Sequence, residues 1–345
     1  MTLIATSAAD LSRDWLSQAL GAEVRSVTRE PIGTGQSAST YRLTLDADDC
    51  PATLIAKLAK GSGEARRRLA TAHRNEVGFY RELAGTLGIR VPGCRHAAIS
   101  PDGMSFTILL EDLSPCQPGR QAEGCSFGHA AESVRNLARL HASRWNDETL
   151  KEIDFLHPLT EQRAAFLAEM ARTATDQFIA RYSAELSEED IGTLREVAAA
   201  LLEWQMAHPE PFSLIHGDYR LDNLMLHPAR DDVVAVDWQT LTVALPARDL
   251  GYFIGTSLPT GQRREHEERL LATYYEELLS CGVRAYSSER CLADYRLGQL
   301  HGPMITVLGS MTSTGSRHHD GDEMFLSMAR RSCTAVRDHH SINAL

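Results

Sequence analysis

The sequence predicts an α+β fold of two unequal parts: a small five-stranded antiparallel sheet with one helix over residues 1–113, and a larger, mainly helical part over 114–345. Three observations lead there. Segments rich in β-formers crowd the first third of the chain and are punctuated by glycine. Apolar residues recur at helical spacing beyond Pro115. One strand–loop–strand hairpin, over 213–238, interrupts those helices.

Taken in order, residues 9–20 set Leu11, Trp15 and Leu20 on one helical face. Val24–Glu30, Thr40–Leu45 and Ala52–Leu58 follow as strands, and Gly33-Thr34-Gly35-Gln36-Ser37-Ala38-Ser39 joins the first two as a glycine hairpin. A helix over about 63–87 places Glu76, Tyr80, Leu83 and Leu87 on one face, and Gly88 and Pro92 end it. Arg95–Ile99 and Phe106–Glu111 supply two more strands around the turn Pro101-Asp102-Gly103. Ser114-Pro115-Cys116-Gln117-Pro118-Gly119 has the composition of a connection. Helices are then expected over about 127–145, 159–184, 187–207, 262–281, 288–311 and 321–339, with Ser187-Glu188-Glu189-Asp190 as a capping box that uses Asp in the Glu position.

Composition narrows the function classes. With 345 residues, 43% hydrophobic and 23% charged, the chain suits about two globular domains. A formal charge of -11 argues against a nucleic-acid partner, which selects for a basic face. The seven cysteines are scattered, odd in number and free of any C-x-x-C spacing, which favours a reducing compartment over a disulfide framework or zinc site. The first residues lack the basic start and apolar run of a signal peptide, and no stretch approaches the ~20 apolar residues of a membrane span. A cytoplasmic protein with no membrane partner is expected; the oligomeric state is left open.

The chemistry concentrates in two segments, Leu214-Ile215-His216-Gly217-Asp218-Tyr219-Arg220-Leu221-Asp222-Asn223-Leu224-Met225 and Val233-Val234-Ala235-Val236-Asp237-Trp238-Gln239. They hold two carboxylates and a carboxamide in a hairpin. Phosphoryl transfer needs a carboxylate to orient and deprotonate a hydroxyl, oxygen ligands for magnesium and cations for the phosphates. Asp218 suits the first task, Asn223 with Asp237 the second; a tight turn capped by Asp218 and Asn223 is the plainer alternative. Upstream, Gly33 and Gly35 let backbone approach an anion, although an ordinary β-turn would read the same. A dinucleotide fingerprint is set aside because Thr40–Leu45 continues as a strand rather than opening a helix. Lys57 interrupts the apolar strand Leu54-Ile55-Ala56-Lys57-Leu58; facing inward it needs a carboxylate, and Glu76 offers one, whereas facing outward both are solvated charges. A glycosidase pair of Asp218 and Asp237 would leave Asn223, Lys57 and the glycine hairpin without a role.

This order of parts resembles the aminoglycoside phosphotransferase and choline-kinase-like superfamily, which shares the bilobal protein-kinase-like fold. The resemblance spans nearly the whole chain, and HGDYRLDN followed by AVDWQ is its most specific part. It implies ATP as donor, with GTP an alternative, and Mg2+ as cofactor. It implies Asp218 as catalytic base, Asn223 and Asp237 as metal ligands, and Lys57 on the α- and β-phosphates held by Glu76. Gly33 to Ser37, including Gly35, would cover the phosphates, and Leu109 to Leu113, including Glu111, would form the hinge that meets adenine. His216 would orient the loop, and Asp249 would brace it, unless Asp249 is simply a helix N-terminal acid.

Departures point to the acceptor. Gly217 stands where protein kinases carry arginine, Asp237-Trp238-Gln239 replaces D-F-G, and no A-P-E segment follows, so small-molecule hydroxyls are favoured over protein substrates. Gln239 and the ending Met328-Ala329-Arg330-Arg331-Ser332 with Ala335-Val336-Arg337-Asp338 resemble the ecdysteroid-kinase-like branch and related bacterial phosphotransferases, which implies a fairly apolar alcohol, sterol-like or hydroxyacyl. The nearly uncharged run 302–311 would suit such an acceptor or be a core helix. An aminoglycoside acceptor and a catalytically silent nucleotide-binding scaffold are the alternatives.

Overall fold

Backbone geometry divides the chain into two compact units in a computed structural model that describes residues 3–33, 38–156, 159–207, 210–312 and 319–345. The first unit holds 1–86, 90–115 and the returning segment 236–241; the second holds 87–89, 116–235 and 242–345.

In the first unit, strands β1 (Val24–Ile32), β2 (Ala38–Ala47), β3 (Thr53–Ala59), β4 (Cys94–Ile99) and β5 (Phe106–Glu111) form one sheet in the order β1-β2-β3-β5-β4. Every neighbouring pair is antiparallel. Helix α1 (Arg13–Leu20) starts where the Ser12 hydroxyl accepts from Trp15 N and stops at Gly21, whose φ of 66° suits glycine. Leu11, Leu16, Val24, Leu43, Leu54, Leu58 and Leu109 form the core of this unit. The helix expected over 63–87 is broken. It runs as α2 (Gly63–Arg68) and α3 (Ala70–Gly78), then a π turn over Phe79–Leu83 and a 3-10 turn over Ala84–Thr86. Leu69, at ψ 0°, breaks the first join. The wider π turn lets both Phe79 and Tyr80 face inward.

The second unit carries α4 (Phe127–Ala142), α5 (Glu161–Arg181), α6 (Glu188–Met206), α7 (Ala247–Ser257), α8 (Thr260–Ser280), α9 (Ser288–Gly298), α10 (His301–Thr312) and α11 (His319–Asp338). Its short strands are β6 (Gln117–Pro118), β7 (Ser213–Ile215), β8 (Leu224–Leu226), β9 (Val233–Ala235) and β10 (Thr242–Ala244). The hairpin expected over 213–238 is not one ladder. β7 pairs with β10, while β8 pairs with β6 and β9, so the two arms of the His216–Asn223 loop enter different sheets. At Ser187 half of the expected capping box is present. Its hydroxyl accepts from Asp190 N at 3.1 Å, but the Asp190 carboxylate turns to Arg337 at 2.9 Å. No helix among the described residues is long and apolar enough to cross a membrane.

Two findings depart from the periodicity. Helix α7 lies outside the helices that periodicity predicts, although the reading of Asp249 as a helix N-terminal acid allows for one: every residue in it except Arg248 is buried, and a helix buried on all sides shows no amphipathic stripe. The run 288–311 is two helices, α9 and α10, divided at Gln299 and Leu300. The division accompanies a close crossing of α9 over α7, where a Cβ on Gly298 would lie 1.9 Å from Ala247 O and one on Gly251 would lie 2.5 Å from Gly298 C. Both contacts are with backbone, which cannot swing aside. The uncharged run is core: Met304 and Val307 are buried among α5, α6 and α11 residues. Gly298→Ala is therefore expected to destabilise the protein by about 1–3 kcal/mol, the usual range for overpacking, or more. Urea unfolding checks this; an unchanged midpoint would mean the crossing is looser than described.

Candidate active site

The site residues form two constellations, one in each unit. In the first, antiparallel pairing places Lys57 in the central strand β3, opposite Thr40 and Ile108. Its ammonium donates to the buried Glu76 carboxylate on α3 and, at 3.3 Å, to Asp237 Oδ1. The inward reading of Lys57 is the observed one. Burial alone would lower the Lys57 pKa; Asp237 and Glu76 outweigh it and hold the ammonium above the ordinary lysine value. Glu76 is raised, first by burial and then by the Asp237 charge, because two carboxylates share one ammonium.

Asp237 sits in the left-handed region, at φ 69° and ψ 65°. A non-glycine residue there is costly by ~1–2 kcal/mol, and such residues concentrate at functional sites. Neighbours hold it. Asn75 Nδ2 donates to Gln239 O and Leu241 O, each at 3.1 Å, and Trp238 stacks on Phe79 with centroids 3.9 Å apart. Gln239 Nε2 donates to Asp237 Oδ2 at 3.3 Å.

Glu111 and Leu113 belong to this unit but do not join the Lys57 constellation. Glu111 pairs with Leu54, three positions along the ladder from Lys57, and its carboxylate takes Arg90 and, at 3.0 Å, Gly93 N. Gly33 has φ 70°, a conformation open to glycine at little cost. Gly35 and Ser37 lie outside the described residues.

In the second unit the His216–Asn223 loop is built around a buried carboxylate. Asp249, on α7, accepts from His216 N at 2.7 Å and from Gly217 N at 2.9 Å, with His141 Nε2 at 3.4 Å. Gly217 turns at φ 80°, which aligns both amides on one acid. Burial opposes ionisation of Asp249, but the bond and charge of His141 with the fields of His216 and His301 outweigh it and depress its pKa. His216 Nδ1 accepts from Asp218 N at 3.3 Å. His301 Nε2 lies 3.0 Å from Gly217 O, and burial lowers its pKa to about 4, so the ring is neutral and donates through Nε2.

The Asp218 carboxylate meets three donors: Tyr252 Oη at 2.8 Å, Asn223 Nδ2 at 2.9 Å and Arg220 Nε at 3.2 Å. Its side chain stays 19% exposed, open to a reactant. Asn223 Nδ2 also donates to Asp218 O at 2.8 Å. Among the described residues Asn223 Oδ1 accepts no hydrogen bond, so a hard carbonyl oxygen remains open, as an Mg2+ ligand requires. In the first unit the Asp237 carboxylate is 29% exposed, and it too is a hard oxygen donor of the kind Mg2+ takes. Sequence reasoning missed Tyr252, Arg220 and His301. Arg220 lay inside the quoted motif; Tyr252 and His301 depend on α7 and α10 packing beside the loop.

The family model described as the phosphotransferase enzyme family matches residues 28–286. The chain is 29% identical over 164 residues to the human protein named acyl-CoA dehydrogenase family member 11, a match covering 45% of this chain and only 20% of that relative's length. It superposes on choline kinase from Cryptosporidium parvum Iowa II with a TM-score of 0.56 and 11% identity, covering 91% of this chain and 89% of the other. The GDP complex of an aminoglycoside 2'-phosphotransferase-IIIa superposes with a TM-score of 0.55 and 15% identity, covering 90% and 94%.

Removing the Asp249 charge tests the brace. Asp249→Asn is expected to cost about 3–5 kcal/mol at pH 7, as for other broken buried ionic networks. A depressed carboxyl pKa contributes stability that is present above the unfolded value of 3.8 and lost as pH falls through the lower folded value. The gap between wild type and variant should therefore hold at neutral pH and shrink below about pH 3.8. Urea titrations at several pH values check both; a gap that widens on acidification would contradict the assignment.

Proposed function

The chain belongs to the phosphotransferase enzyme family, and we propose that it is a small-molecule kinase that moves the γ-phosphoryl group of ATP, with Mg2+, to the hydroxyl of a fairly apolar alcohol. The observation that carries this reading is the Asp218 carboxylate, fixed in orientation by three donors yet open on one side.

In the reaction the acceptor oxygen bonds to the γ-phosphorus, the bond from that phosphorus to the β-phosphate oxygen breaks, and Asp218 takes the hydroxyl proton. Three donors hold the Asp218 carboxylate, so it orients the hydroxyl as well as accepting its proton. Lys57 pairs the α- and β-phosphates, and Glu76 fixes its ammonium. Asn223 Oδ1 and the Asp237 carboxylate would hold Mg2+, and the bound ion would supply charge neutralisation on the phosphates. Gly33, Gly35 and Ser37 cover the phosphates. The backbone around Glu111 and Leu113 meets the adenine. His216 and Asp249 keep the loop in shape.

The partial match to a protein named for acyl-CoA chemistry supports a hydroxyacyl compound as the alcohol. The buried run in α10 lends no support, since its side chains are used in the core. The GDP complex of the aminoglycoside enzyme keeps GTP as a second donor to test.

Asp218→Asn is expected to lower turnover by about 10²–10⁴, the span typical of a positioned acid–base group, and to leave nucleotide affinity nearly unchanged. Wild-type turnover in that variant would sink the base assignment. A mass-shift screen with ATP and GTP across hydroxy acids and their thioesters, sterols, choline-like amines and aminoglycosides identifies the acceptor. Transfer to aminoglycosides alone would replace the apolar-alcohol reading. Nucleotide binding without transfer to any of them would favour a silent scaffold.

A further inference from the structure

We propose that Tyr252 is a positioning residue for phosphoryl transfer, acting through the carboxylate of Asp218. Its kinetic consequence rests on the reaction proposed above; its geometric consequence does not.

Tyr252 is fully buried, and a buried hydroxyl requires a partner. Its partner is Asp218 Oδ1, at 2.8 Å. Burial first, and the Asp218 charge second, push the phenol well above its ordinary pKa, so the group donates and does not ionise. Tyr252 stands three residues after Asp249 on α7, which puts the two side chains on one helix face. That face therefore holds the loop twice: Asp249 takes the amides of His216 and Gly217, and Tyr252 takes the carboxylate of the next residue. Packing fixes the phenol in turn. The Tyr252 ring meets His301 edge-on, with centroids 5.4 Å apart at 89°, and His301 is anchored on Gly217 O.

The other donors cannot replace it. Asn223 Nδ2 reaches Oδ2. Arg220 Nε lies 3.2 Å from Oδ1 and 3.3 Å from Oδ2, which fixes neither oxygen strongly, and the same guanidinium is drawn to Asp222 at 2.5 Å. Removing the phenol hydroxyl leaves Oδ1 with only this long, shared contact, so the carboxylate is free to rotate. A reacting group displaced by about 1 Å can lose on the order of 10²-fold in rate.

The test is Tyr252→Phe, which keeps the ring and its packing; a melting curve confirms the fold. Three readouts follow: crystal structures of wild type and variant, ADP affinity by calorimetry, and transfer from MgATP to the best alcohol of the screen, with phosphate release to water measured alongside. The expected result is a second Asp218 rotamer in the variant, kcat lower by about 10- to 100-fold, and ADP affinity within twofold of wild type. Site-specific 3-fluorotyrosine at 252, which retains the hydroxyl, should restore most of the rate. An unchanged single rotamer with kcat within twofold of wild type would overturn the proposal. So would a parallel fall in kcat, ADP affinity and melting temperature, the mark of a structural role alone. If wild type transfers to neither alcohol nor water, the reaction reading fails, and the rotamer comparison by itself decides the positioning.

Discussion

One buried carboxylate sets the shape of the loop that carries Asp218 in the second unit. Asp249 has no exposure, so its charge must be met by the protein, and two of its donors are consecutive backbone amides, His216 and Gly217. Two adjacent N–H groups point at one acid only if the chain turns sharply between them. Gly217 provides that turn at φ 80°. The constraint explains why glycine follows the histidine here. It also explains why the loop, whose arms enter separate sheets, can present Asp218 in one orientation.

The first unit solves a related problem with the opposite charge balance. One ammonium, Lys57, is shared by Glu76 and Asp237, which leaves an excess of negative charge in a buried setting. Such an arrangement is unfavourable unless a further cation or a polar ligand meets it. The backbone at Asp237 adds a local cost through its left-handed conformation, offset by the Asn75 bonds and the Trp238–Phe79 stack. Strain and unbalanced charge at one residue, each costly to stability, are what a site built for a charged ligand would retain. On the proposed reading, the ligand is a nucleotide phosphate with its metal.

Both constellations spend polar groups on holding other polar groups. Asn223 illustrates it: its Nδ2 fixes Asp218 twice, and only its carbonyl oxygen is left over. His301 likewise donates to Gly217 O while its ring packs on Tyr252. On the proposed reading, the reacting oxygens are supported by residues that would touch no substrate, and whose effect is to reduce the number of shapes the loop can take.

The sequence by itself determined the fold class, the five strands of the first sheet and most helices, and it singled out Asp218, Asn223 and Asp237 as candidates. These rest on local signals: period-2 and period-3.6 patterns, glycine punctuation and a spacing confined to a few dozen residues. Lys57 and Glu76 were legible as a pair only on the supposition that the lysine faced inward, which the sheet then fixed. Tertiary structure alone decided the rest. Helix α7 is buried on every side and carries no amphipathic stripe; α9 and α10 separate where Gly298 passes against Ala247; the hairpin arms divide between two sheets. Tyr252 and His301 acquire meaning only when those helices pack beside a loop far away in sequence. Period and spacing report what a residue's neighbours along the chain require of it, whereas a buried hydroxyl's partner is set by which elements meet in space.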